Sequence, residues 1–124
     1  MVNQILLYLG AALPLLWGIS HLFPTKSVVS GFGDISIDNR HIITMEWLIE
    51  GIALIFIGVL VSVVTFIDAG SSTSTTVYVL SSAALLILAL VSLFTGFKIS
   101  FLPFKLCPLI FTSSAILMLA GTFI

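Results

Sequence analysis

The chain has 124 residues, 60% of them hydrophobic and only 7% charged, with a mean hydropathy of +1.32. A soluble domain carries about 25% charged residues, so this composition excludes one and predicts an integral membrane protein. A net charge of −1 excludes the basic face of a nucleic-acid binder, and the lone Cys107 excludes an internal disulfide or a Cys-based zinc site.

The length predicts one domain, residues 1–124. A membrane-spanning helix needs about 20 mostly apolar residues, and four stretches qualify. The first runs from about Ile5 to Phe23. It carries no basic residue ahead of its apolar run, so it reads as a span rather than a cleaved signal. Pro24 closes it, because proline pushes its predecessor out of helical geometry. Pro14 and Gly18 lie inside it, and Pro14 predicts a kink.

Residues 24–41 form the longest link. Within it, Asp34-Ile35-Ser36-Ile37-Asp38 alternates, which predicts a short extended piece. The same acids resemble the opening of a calcium loop, but Asn39 and Met45 stand where its glycine and last ligand belong. Asp38 or Asn39 is the expected cap of the next helix. A link this long is often functional, and it is expected to fold over the bundle mouth as a lid.

The second span runs from about Ile42 to Ile67, with Gly51 and Gly58 seven residues apart. A Ser/Thr turn is expected over residues 68–76. The third span covers about 77–97, with Ser82, Ala89 and Gly96 at sevens. Residues 98–103 form a turn ending in Pro103. The fourth span covers about 104–124, with Ser113 and Ala120, then Ser114 and Gly121, again at sevens. Helices in lipid associate through close packing of such small residues, so the seams predict bundle packing; the alternative is that one serves another subunit. Short turns predict an all-α, antiparallel four-helix transmembrane bundle.

Lys26, Arg40, Lys98 and Lys105 all fall at one end of this arrangement. The positive-inside rule then puts links 24–41 and 98–103 in the cytoplasm and both termini outside. Lys98 and Lys105 are expected to mark the interface and snorkel.

Few polar residues need a reason to exist. Glu46 and Glu50 are four apart and share a helix face. Glu46 is expected near the helix start, where the helix dipole favours a carboxylate and Thr44 adds to a cap. Glu50 is a turn deeper, and an ionisable group inside a span faces the interior or water. Antiparallel pairing of spans one and two brings His21 to the depth of Glu46 and Glu50, flanked by Trp17 and Trp47, with Arg40 and His41 just outside. His21, Glu46 and Glu50 are therefore the candidate ligand or proton-handling residues. Arg40, His41, Trp17 and Trp47 are secondary. Three readings stay open: a structural polar cluster, a pocket for a lipid-like, quinone-like or other small ligand, and a metal site or proton relay. No Glu-x-x-His pair supports a di-iron site, no metal ligands are assigned, and the cofactor is unknown. Phosphate-loop, HExxH and Ser-His-Asp patterns are missing, which weakens a hydrolase or ATPase reading.

Two segments, Gly18-Ile19-Ser20-His21-Leu22-Phe23-Pro24 and Glu46-Trp47-Leu48-Ile49-Glu50-Gly51-Ile52-Ala53-Leu54-Ile55-Phe56-Ile57-Gly58, resemble the DoxX-like group of small four-helix membrane proteins. Here Glu50-Gly51 replaces the usual glycine pair. The resemblance covers about the first half of the chain. It implies four helices and makes a subunit role beside a redox enzyme more plausible, since some members are linked to quinone-coupled sulfur oxidation. It assigns no residue a catalytic task.

The expectation is thus a non-catalytic membrane protein that binds a partner protein or a hydrophobic small molecule at a polar bundle mouth. The alternatives are a quinone-linked oxidoreductase component and a transporter or channel subunit. Assembly as a homo-oligomer is open.

Overall fold

A computed structural model describes residues 2–124. Five α-helices follow one another: α1 (Gln4–Leu22), α2 (Thr25–Ser30), α3 (Ile37–Asp68), α4 (Ser72–Thr95) and α5 (Leu102–Phe123), with a 3-10 turn at Gly96–Lys98 before α5. No strand occurs among the described residues. α1, α3, α4 (continued by its 3-10 turn) and α5 are each long and apolar enough to cross a bilayer. Their outward faces are apolar too: Phe56, Phe66, Ile87 and Leu109 are all exposed. The protein is an integral membrane, all-α four-helix bundle.

The helices form a ring in the order α3, α1, α5, α4, and the loosest seam lies between α3 and α4. Neighbours run antiparallel, as their glycines show. A Cβ on Gly18 would lie 2.7 Å from the Gly51 carbonyl, and one on Gly58 would lie 2.6 Å from the Ala11 carbonyl. Numbers fall on α1 as they rise on α3. On the α1–α5 seam, Gly10 meets Ser114 and Met118, and Gly121 meets Leu7 and Asn3. On the α4–α5 seam, Ser82 Oγ donates to the Ala115 carbonyl at 3.5 Å, and Gly96 meets Phe104. The seven-residue seams through Gly51 and Gly121 are filled by this chain's own helices. Between them lies a core of Leu7, Leu54, Val61, Tyr78, Leu85, Phe111 and Met118, with the small Ala11, Ala89 and Ala115.

Proline shapes two of these seams. α1 continues unbroken through Pro14. Proline has no N–H, so the carbonyl four residues back, at Gly10, loses its usual donor. Ser114 Oγ supplies one from α5 at 2.6 Å. In α5, Pro108 does the same to Phe104. That carbonyl faces Gly96, where a Cβ would lie only 2.8 Å away.

Two helix starts differ from expectation. α3 begins at Ile37 rather than Ile42, because Ser36 is the cap: its Oγ accepts from Asn39 N–H at 3.1 Å. Asp38 and Asn39 therefore lie in the first turn. The expected extended piece stops at Ser36, and Thr44 donates to the Arg40 carbonyl at 2.8 Å instead of capping. Glu46 sits more than two turns into the helix, beyond the reach of its dipole end. α4 begins at Ser72 rather than Val77. Ser71 Oγ caps it at Ser74 N–H, and Thr75 and Thr76 bond carbonyls four residues back. The Ser/Thr turn is thus mostly helix.

At that turn, Ser74 Oγ donates to the Asp68 carbonyl at 2.6 Å and lies 3.2 Å from that of Val64. Thr65 Oγ1 donates to the Val61 carbonyl at 2.6 Å, so the buried Tyr78 hydroxyl, 3.0 Å away, donates to Thr65. These bonds hold α3 to α4 at this end. At the opposite end the long link folds as α2, and Gly33, with φ +75°, turns the chain into α3. Gly33 takes the left-handed region that other residues avoid.

Candidate functional site

The site begins with helix lengths. α3 has 32 residues, about 48 Å at ~1.5 Å per residue, against a hydrocarbon core of about 30 Å. For a helix along the bilayer normal, counting about 20 residues back from Asp68 puts the other edge of the core near Leu48. Glu50 then lies about 3 Å inside that edge and Glu46 about 3 Å outside it. α1 reaches the same level at its last turn, where His21 sits.

The two helices meet there through three contacts. The His21 ring stacks on Trp47, centroids 3.7 Å apart and 16° between planes. Trp47 Nε1 donates to the His21 carbonyl at 2.8 Å. This satisfies one of the carbonyls that a helix end leaves free, and Thr25 Oγ1 takes the next, at Leu22, at 2.6 Å. Finally, His21 Nε2 lies 3.5 Å from Glu50 Oε2. That is close enough for charge attraction but outside good hydrogen-bond geometry, and Nε2 is buried with no hydrogen-bond partner. The His21 side chain is 9% exposed and that of Glu50 49%.

A cavity of about 270 Å³ opens beside this pair. α1 contributes Trp17, Ser20 and His21, and α3 contributes Trp47 and Glu50. Pro24 and Val28 close one side, so part of the long link does cover the bundle mouth. α5 and the residue before it add Phe101, Phe104 and Cys107. Phe104 meets Trp47 edge-on at 5.8 Å, and Phe101 lies 6.1 Å from Phe104.

Of the residues singled out in the sequence, His21, Glu50, Trp17 and Trp47 come together. Glu46 does not join them. It is exposed on α3, outside that cavity, and lines a neighbouring open hollow that shares Trp47 and Glu50 with it and adds Ile42 and Ile49. His41 is exposed and lines no part of the cavity. Arg40 turns the other way and donates to the Gly33 carbonyl at 3.3 Å. The wall residues Phe101, Phe104 and Cys107 were not among the site residues the sequence singled out. The Cys107 thiol lies 3.6 Å from the Pro103 carbonyl, a weak bond within its own helix. Among the described residues, no three His, Cys, Asp or Glu side chains cluster as metal ligands.

The site combines an apolar aromatic wall, one buried ring nitrogen with no hydrogen-bond partner, and one half-exposed carboxylate. Nε2 and Oε2 are too far apart to bond well, yet a single polar atom placed to one side of the pair, in the cavity, can reach both at ordinary distances. Comparison with protein-family models, with curated proteins and with solved structures finds no match.

Proposed function

We propose that this protein is a non-catalytic membrane component that binds a hydrophobic small molecule in the α1–α3–α5 cavity, with His21 and Glu50 anchoring the ligand's one polar group. The observation behind this reading is the unpartnered, buried His21 Nε2 in the wall of an aromatic cavity. Leaving a buried polar atom unpaired costs about 1–3 kcal/mol, and a ligand atom that bonds it recovers that cost. The cavity, at about 270 Å³, is just under the ~300–1,000 Å³ of sites for drug-sized ligands. It suits a single ring or a headgroup, with any long chain leaving into lipid. On this reading the end with Lys26, Arg40, Lys98 and Lys105 faces the cytoplasm, so the cavity opens at the inner leaflet.

Native mass spectrometry of the protein extracted gently from its own membrane tests this. The expected result is an added mass of a few hundred daltons that Glu50→Gln and His21→Phe both reduce while far-UV circular dichroism stays unchanged. A chain without added mass argues for a purely structural cluster, and a co-purifying protein makes the same mouth a subunit contact.

A second reading, a quinone-linked oxidoreductase component, draws on the same geometry. His21 Nε2 suits a carbonyl oxygen, Trp47 offers a planar neighbour, and the resemblance to DoxX-like proteins agrees. Quinone-dependent turnover lost in a folded Glu50→Gln variant supports it over simple binding.

A further inference from the structure

A second hollow lies on the opposite flank of α5, facing lipid. It is a trench of about 750 Å³ between α4 and α5. Its floor is made of small or compact residues, Ala89 and Pro108, both buried. Its rims are leucines, with Leu86, Leu90 and Leu109 all exposed. Lys105, half-buried, stands on the wall at the end where Phe97 closes the trench.

The dimensions are those of one lipid chain. Along α4 the trench runs from Leu86 to Phe97, eleven steps or about 16 Å. Half of a ~30 Å hydrocarbon core is about 15 Å. The trench is therefore about as long as the hydrocarbon part of one leaflet, the reach of a single acyl chain. Between Lys105 and the far end the walls offer water only the Thr112 hydroxyl, short of the roughly two to four partners an ordered water needs.

Charge selects the headgroup. A lysine stem follows apolar surface while its ammonium reaches the interface. Lys98 is exposed in the 3-10 turn at the same end. Among the described residues, neither lysine has a carboxylate within 4.0 Å. The two cations at the trench mouth are thus free to meet a phosphate, and no acid beside them favours a zwitterionic or cationic head.

We infer that the α4–α5 trench is a binding site for one anionic phospholipid, its acyl chain lying over Ala89 and Pro108 and its phosphate held by Lys105 with Lys98. This site is separate from the His21–Glu50 cavity and stands or falls without it.

The test is native mass spectrometry of the full chain, delipidated in detergent and then offered equimolar phosphatidylglycerol and phosphatidylcholine of the same acyl chains. A lysine near anionic lipid gives a preference of about five-fold. The expected result is one retained phosphatidylglycerol per chain at about that ratio over phosphatidylcholine. Lys105→Gln is expected to lower the ratio, and Lys98→Gln combined with Lys105→Gln to bring it to about two-fold or less with the helical content unchanged, and 0.5 M salt to do the same in the unaltered protein. Leu90→Trp, which bulks an exposed rim position, is expected to lower retention of both lipids. Glu50→Gln is expected to leave the lipid ratio alone. Equal retention of the two lipids, or a preference that survives the loss of both lysines, overturns the inference. A lipid-free dimer that Leu90→Trp dissociates also overturns it, and makes the trench a contact between copies of the chain.

Discussion

The bond from Ser114 to Gly10 can be tested as a consequence of Pro14 rather than as an isolated contact. Ser114 Oγ and the Gly10 carbonyl are 2.6 Å apart and buried. Because Pro14 has no N–H, Ser114→Ala leaves that carbonyl without its helical donor as well. An unsatisfied buried acceptor costs about 1–3 kcal/mol, while side-chain hydrogen bonds between membrane helices average about 0.6 and reach about 1.7 kcal/mol. The short distance and missing alternative donor place this one near the top of the membrane range, about 1.5 kcal/mol. In a Pro14→Ala background the new N–H at position 14 donates to Gly10, so Ser114→Ala is expected to cost only about 0.5 kcal/mol. The cycle should show a coupling of about 1 kcal/mol, outside the ~0.3–0.5 kcal/mol within which independent changes add. Unfolding in mixed micelles with rising sodium dodecyl sulfate, followed by circular dichroism, measures all four corners. Pro14 is itself fully buried, so the single Pro14→Ala value mixes packing with bonding, and only the coupling decides. Equal Ser114→Ala costs in both backgrounds would refute the account of how α5 is held to α1.

Two comparisons test the other seams by the same unfolding assay. Gly58→Ala puts a methyl 2.6 Å from both the Ala11 carbonyl and Leu15 Cβ, so backbone must move, at about 1–3 kcal/mol. Gly51→Ala meets first the Leu22 side-chain tip, which can rotate, and is expected to cost less than Gly58→Ala; the reverse order would refute the α1–α3 register. At the α3–α4 turn, Thr65→Val strands the buried Tyr78 hydroxyl and is expected to cost about 1–3 kcal/mol. Tyr78→Phe leaves Thr65 its bond to Val61 and should cost less, and equal costs would mean that the hydroxyl pair does not hold this turn.

Composition was enough to find the four spans, because lipid contact demands about 20 apolar residues whatever the helix packs against. It failed at the starts of α3 and α4 for one shared reason. Hydropathy marks where a helix enters lipid, whereas a helix starts where its first N–H groups find a cap, and Ser36 and Ser71 provide that five residues earlier. Glu46 was misplaced as a result: a helix end that lies at Ile37 cannot stabilise it. His21, Trp47 and Glu50 were legible because the pairing of two consecutive antiparallel helices sets their level. Phe101, Phe104 and Cys107 were not, since their place depends on the register of α5 against α1. Ser113 and Ser114, or Ala120 and Gly121, offer nearly equivalent registers in the sequence. The freed carbonyl of Gly10 chooses Ser114, and that choice is visible only in three dimensions.

That register also determines how the cavity wall is held, which a final substitution probes. Pro108 frees the Phe104 carbonyl, Gly96 lets α4 approach it, and the Phe104 ring then meets Trp47 edge-on while Trp47 stacks on His21. A methyl at position 96 would sit 2.8 Å from that carbonyl and 3.6 Å from its carbon. The obstacle is backbone, which no side-chain rotation relieves, so α5 must shift by a few tenths of an ångström where Phe104 enters the wall. Gly96→Ala is therefore expected to change the fluorescence of Trp47, identified as the emission lost in Trp47→Phe, by altering the ring that packs against it. Gly58→Ala strains a seam lying about two turns further from the cavity, measured along α3, and should leave that emission nearly unchanged even if it lowers stability more. If Gly96→Ala destabilises the bundle without altering Trp47 emission, the wall is set by α1 and α3 alone. If Gly58→Ala changes the emission as much, the signal reports general loosening of the bundle rather than the entry of α5. Only a response specific to Gly96 ties the shape of the cavity to the proline-freed carbonyl on α5.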